Sequence, residues 1–134
     1  MTLDEYRILH SRLIEKYQWI EADLEELCAA VSHAPFHKAL REIERDSIGG
    51  VVREIRQMEE KQNITVLSRE EYEALDMIRE RRNFWTHQCY IQKRDENTGV
   101  PQNADILSPD LQRAEDTLHW LRKVRDMWMG QDLN

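Results

Sequence analysis

Arg82, Asn83 and His87 stand in one six-residue run, Arg82-Asn83-Phe84-Trp85-Thr86-His87, and their types suit phosphate chemistry. An arginine supplies a permanent planar cation that can grip a phosphate. A histidine is the side chain best poised to move a proton near neutral pH. At about 100° per residue on a helix, Asn83 and His87 share a face, and Tyr90 lies one turn further along. Arg79 and Arg94 extend the line, so positions 79, 83, 87, 90 and 94 form a polar stripe of Arg, Asn, His, Tyr and Arg. The expected catalytic groups are Arg82, Asn83 and His87, with Arg79 and Tyr90 as substrate contacts.

Arg82 belongs to a second line. Leu75, Ile78, Arg82, Trp85 and Cys89 follow the three-and-four spacing of a buried seam. A guanidinium on a packed seam is costly unless an anion or acceptor answers it, so the position calls for a carboxylate, a bound phosphate or a subunit interface. Arg82 and His87 lie about 140° apart round the helix and flank a patch without touching. One helix makes only half a cleft. A twofold axis beside it brings a second copy of the same face opposite, so the expected assembly is a homodimer with shared sites.

Charge is distributed to match. The formal net charge of −7 argues against broad nucleic-acid binding by the whole molecule. Between Arg79 and Arg94, however, five cationic side chains face Glu80 alone, a local net of +4. For Lys93 and Arg94 a purely solubilising role stands equally open.

The elements that must position these groups read as helices. Leu3, Tyr6, Leu9, Leu13, Tyr17, Ile20, Leu24, Leu27 and Val31 make a long amphipathic stripe. Thr2 with Glu5 has capping-box spacing at its start, and its end is expected near Ala30. Pro35 suits the first position of a second helix carrying Phe36, Leu40 and Ile43. Another apolar set follows at Ile48, Val51, Val52, Ile55 and Met58, where Gly49-Gly50 either breaks a helix or lets another backbone come close. Ser68 and Glu71 form a second capping box, opening the helix that holds the motif through Cys89. Residues 93–107 read as the longest loop, and Ser108-Pro109-Asp110 as the cap of a final helix from Leu111 to Trp128. The expected fold is all-α, an antiparallel four- or five-helix bundle forming one domain over residues 1–134.

Other chemistry is thinly represented. Cys28 and Cys89 lie far apart and read as buried or idle thiols of a reducing compartment. His33 and His37 are separated by Pro35, a poor arrangement for a helical ligand pair, and no metal or cofactor is expected. His10 and His119 read as lone helix histidines, and the four tryptophans as core or interface anchors. An acidic start without an apolar run points to a cytoplasmic protein with no membrane span.

The run Arg82, Asn83, three residues, His87 resembles the R-x4-6-H motif of the HEPN superfamily, small helical-bundle proteins in which a polar residue usually follows the arginine. Length, helical layout and motif placement are similar in outline. The resemblance implies a metal-independent endoribonuclease acting on RNA through a composite site at a homodimer interface. The ribose 2′-hydroxyl attacks the adjacent phosphate, His87 serves as acid or base, Arg82 stabilises phosphoryl charge, and Asn83 orients His87 or the substrate. HepT-like toxins in this superfamily carry R-x4-H-x-Y, so the resemblance also implies a toxin or defence role with an antitoxin protein as partner. Here Tyr90 stands one residue further on, in His87-Gln88-Cys89-Tyr90. Two rival expectations remain: a non-catalytic HEPN-like module binding a nucleotide, RNA or protein, and a structural bundle in which Arg82 only pairs with an acidic neighbour.

Overall fold

A computed structural model describes residues 1–43 and 47–132, and the elements within them are helical. In chain order they are α1 (Leu3–Val31), α2 (Phe36–Ile43), α3 (Ile48–Gln62), α4 (Arg69–His87) and α5 (Ala104–Asp132). A single 3₁₀ turn, Cys89–Ile91, follows α4. No strand occurs among the described residues; Arg94 and Pro101 form one isolated antiparallel bridge.

Both expected capping boxes form. Thr2 Oγ1 accepts the Glu5 amide at 3.1 Å while Glu5 returns a carboxylate to the Thr2 amide. Ser68 and Glu71 repeat the exchange at α4, at 3.1 and 2.7 Å. Each satisfies amides that a helix start leaves without intrahelical partners. Ser47 caps α3 by accepting the Gly50 amide, so the Gly49-Gly50 pair begins this helix and does not break it. Asn63 ends α3 in the left-handed conformation, φ 54°, which asparagine tolerates better than most residues.

Two boundaries differ from expectation. The last helix begins at Ala104, which leaves Pro109 inside it. Proline lacks the N–H that would bond back four residues, and here the lost bond falls near the helix start, where few such bonds precede it. The motif helix stops at His87. Gln88 leaves helical geometry at φ −127° and ψ −18°, and its amide closes the last turn on the Phe84 carbonyl at 2.9 Å.

Direction follows from the contacts. Tyr6 bonds Asn103 near the start of α5, and Asp23 bonds Arg122 and Arg125 near its end, so α1 and α5 run parallel. Helix α4 runs against α1, with Arg82 beside Glu21 and Trp85 beside His10. Helix α3 runs against α4, since Glu59 meets Tyr72 while Gly49 faces Arg79. Helix α4 thus runs against both α1 and α3, while α1 and α5 lie side by side in the same sense.

The core fills the space between them. Leu13, Tyr17, Ile20, Leu24 and Leu27 of α1 meet Leu107 and Leu121 of α5, closed off by Leu75, Ile78 and Trp85 of α4. Burying each such aliphatic side chain is worth roughly 1.5–3 kcal/mol. Two aspartates lie inside this apolar setting. Asp110 accepts Trp85 Nε1 and Arg81 Nε, each at 2.7 Å, and Arg113 at 3.0 Å. Asp23, 1% exposed, accepts Arg122 at 3.0 Å and Arg125 at 2.8 Å. Each ties two parts of the bundle through a charge that its partners answer.

Candidate functional site

The motif occupies the last two turns of α4. Asn83 and His87 project from the exposed face of that helix, one turn apart, and His87 is its final residue. No side-chain partner holds either of them among the described residues. Arg82 is half-buried and forms an ion pair with Glu21 of α1. The closest approach is between Nε of the guanidinium and the Glu21 carboxylate. Of the carboxylate, bound phosphate or subunit interface that the seam position calls for, an internal carboxylate is present.

The predicted polar stripe is broken, because the helix ends at His87. Tyr90 sits in the 3₁₀ turn and folds back onto α1, its ring 5.5 Å from Tyr6 and 5.0 Å from His10, edge-on to both. Asn103 fixes this reversal: its amide donates to the Cys89 carbonyl at 2.9 Å and its oxygen accepts the Tyr6 hydroxyl at 2.5 Å. Arg94 caps the turn by donating to the Tyr90 carbonyl at 3.0 Å, with its guanidinium 5.9 Å from the Tyr90 ring centre. Tyr90 thus lies behind the motif instead of in line with it.

His10 belongs to this supporting layer. Its Nε2 lies 2.8 Å from the Trp85 carbonyl, which can only accept, so in the neutral ring that nitrogen carries the proton and Nδ1 faces the Tyr90 hydroxyl at 3.4 Å. The Cys89 thiol donates to the same carbonyl at 3.2 Å. Burial raises the Cys89 pKa, which keeps the sulfur a thiol and a poor nucleophile. Burial also raises that of Tyr90, with neighbouring Cys89 as the next cause.

Arg79 departs from the motif altogether. It donates to Asp76 on its own helix, at 2.9 Å, and lines a cleft between α3 and α4 together with Arg53 and Arg56. Arg81, next to the motif, is committed to buried Asp110. Of the expected site residues, the fold therefore keeps Arg82, Asn83 and His87 on one stretch of helix, turns Tyr90 behind them and sends Arg79 elsewhere. Glu21 and His10, both on α1, were missed; a pairing between helices sixty or more positions apart leaves no local pattern in a sequence. Trp85 is a core anchor as expected, whereas Trp19 is half exposed beneath the Arg122 guanidinium.

Among the described residues, no three His, Cys, Asp or Glu side chains come together as a metal site, and no helix is long and apolar enough to cross a membrane. No family model matches the chain, nor does any curated protein or solved structure.

Proposed function

We propose that this chain is a metal-independent endoribonuclease of HEPN type, an effector of the toxin or defence kind, whose active groove is shared by two copies. The observation that carries this reading is the end of α4: His87 and Asn83 exposed and uncommitted, with Arg82 braced beside them through its inner nitrogen. Ile91, 81% exposed in the turn just beyond, gives a second copy an apolar side chain to cover.

In the shared groove the two imidazoles divide the work. One takes the proton of the ribose 2′-hydroxyl as its oxygen bonds to phosphorus. The other gives a proton to the departing 5′ oxygen, leaving a cyclic phosphate and a free 5′-hydroxyl. The Arg82 Nη edge faces the phosphoryl oxygens, where negative charge builds, and Glu21 holds the guanidinium in place. Asn83 orients the imidazole or the substrate.

RNA cleavage in the presence of EDTA tests this. His87→Ala is expected to lower the rate about a hundredfold or more, the usual scale for a lost acid or base. Arg82→Ala and Arg82→Lys should also be impaired, the lysine because it lacks the planar fork. Sedimentation should give a dimer at micromolar concentration. Undiminished cleavage by the His87 or Arg82 alanine variant would sink the mechanism, and a strict monomer would sink the shared groove.

One observation favours a second reading. Glu21 already neutralises Arg82, the pairing expected of a structural bundle in which Arg82 only answers an acidic neighbour. Neither binding nor cleavage of RNA by the unaltered protein would select it.

A further inference from the structure

The cleft between α3 and α4 has a volume of about 510 Å³, within the range of small-ligand sites. Arg53 and Arg56 rise from α3 one turn apart, and Arg79 reaches in from α4. Neither Arg53 nor Arg56 has an ion-pair partner among the described residues. Among the described residues, the acidic side chains that line the cleft are Glu73 and Asp76, and each is engaged by an arginine of its own helix: Glu73 by Arg69 at 3.2 Å, Asp76 by Arg79 at 2.9 Å. Both pairs are exposed, so an incoming anion displaces or joins them at little cost.

The walls are held ready. Arg56 lies over the Tyr72 ring, its guanidinium carbon 4.2 Å from the ring centre. Tyr72 is fixed in turn, its hydroxyl donating to Glu59 at 2.6 Å, and the other oxygen of that carboxylate accepts the Val66 and Leu67 amides. Gly49 makes room: a Cβ there would sit 3.3 Å from Arg79 Cδ, so the missing side chain lets the Arg79 stem lie against α3. Ile48, Val52 and Leu75 supply an apolar floor.

We infer that this cleft binds a small phosphorylated ligand, its phosphates held by Arg53, Arg56 and Arg79 and its body resting on the apolar floor. Planar guanidiniums pair with phosphate oxygens in bidentate fashion, and three of them around one opening suit an anion of two or more charges. The assignment stands apart from the α4 motif and survives if the ribonuclease reading fails. Two sources share the chemistry, free polyphosphate and a nucleoside phosphate, and they differ in whether the floor is used.

Calorimetric titration with pyrophosphate, ADP and adenosine at matched ionic strength decides the matter, using the unaltered protein and the variants Arg53→Gln/Arg56→Gln, Gly49→Ala and His87→Ala. Pyrophosphate and ADP should both bind, and tighter binding of ADP identifies a nucleoside phosphate; equal binding identifies free polyphosphate. The double glutamine variant should lose at least about tenfold in affinity, since charge-assisted hydrogen bonds exceed that factor singly. Gly49→Ala should weaken binding several-fold while circular dichroism stays unchanged, and His87→Ala should bind as the unaltered protein does. Binding of adenosine alone, binding of long RNA but of neither small phosphate, no heat up to millimolar ligand, or unchanged affinity in the double variant would each overturn the assignment.

Discussion

The seam between α1 and α5 and the cleft between α3 and α4 both carry arginines, and the two groups are treated in opposite ways. In the seam, Arg122 and Arg125 converge on buried Asp23, as Arg81 and Arg113 converge on Asp110 beside it. In the cleft, Arg53 and Arg56 meet no carboxylate among the described residues, although the chain as a whole is strongly acidic. An arginine answered inside the fold acts on stability, and one left open acts on something the fold does not contain. Arg82 stands between these cases, paired with Glu21 while its side chain stays partly exposed.

The largest effect expected from this contrast is at Asp110. Asp110→Ala strands the Trp85 indole N–H and leaves Arg81 without its carboxylate, so it should destabilise the fold by about 3–5 kcal/mol in urea titration. A loss near zero would mean that the seam arginines reach water unaided, and the contrast with the cleft would vanish.

A second, smaller effect concerns the phenols of the seam and its flank. Burial raises the pKa of Tyr6, Tyr17 and Tyr72, helped at Tyr72 by Glu59, so the folded state keeps its phenol protons after an unfolded chain has begun to lose them. Their contribution to stability is whole below the ordinary phenol pKa of about 10. As pH rises past it, stability should fall by up to about 1.4 kcal/mol per pH unit for each phenol held neutral. The Tyr17 hydroxyl has no hydrogen-bond partner among the described residues, so Tyr17→Phe should make the decline shallower without weakening the fold at neutral pH. Denaturation curves collected through the alkaline range check both slopes; an unchanged slope in the phenylalanine variant would show that Tyr17 titrates freely.

The smallest effect sharpens the comparison by its near absence. Arg53→Gln/Arg56→Gln should shift the melting free energy by no more than about 1 kcal/mol, the scale of an exposed cation–π contact such as that of Arg56 with Tyr72. A loss of several kcal/mol would place these arginines with the seam.

Much of the scaffold could be read from the chain because its signals are local. Thr2 with Glu5 and Ser68 with Glu71 mark helix starts by spacing alone, and the stripe from Leu13 to Leu27 names the buried face of α1. The end of α4 could not be read this way. Gln88, Cys89 and Tyr90 contain no helix breaker, and what turns the chain is Asn103, a distant side chain that takes the Cys89 carbonyl. Asp110 was read as a cap because aspartate before an apolar run commonly is one; its partners are Arg81 and Trp85 on α4 and Arg113 one turn along its own helix. Asp23 hides in the spacing of Ile20, Leu24 and Leu27, where an acidic residue reads as surface until its arginines are known. The motif survives in part for the same reason: Arg82, Asn83 and His87 share one helix, whereas Arg79 and Tyr90 depend on where that helix stops and what packs behind it.

The parallel seating of α5 against α1 has a bearing on how the chain reaches this shape. Tyr6 and Asn103, which meet at one end of the seam, lie 97 positions apart. Helical proteins usually fold fast because their contacts are close in sequence, and a pairing of this span slows the search. During synthesis α1 therefore carries a bare greasy flank until the final helix is made, and the interval in between is when the nascent chain is most open to sticking to its neighbours.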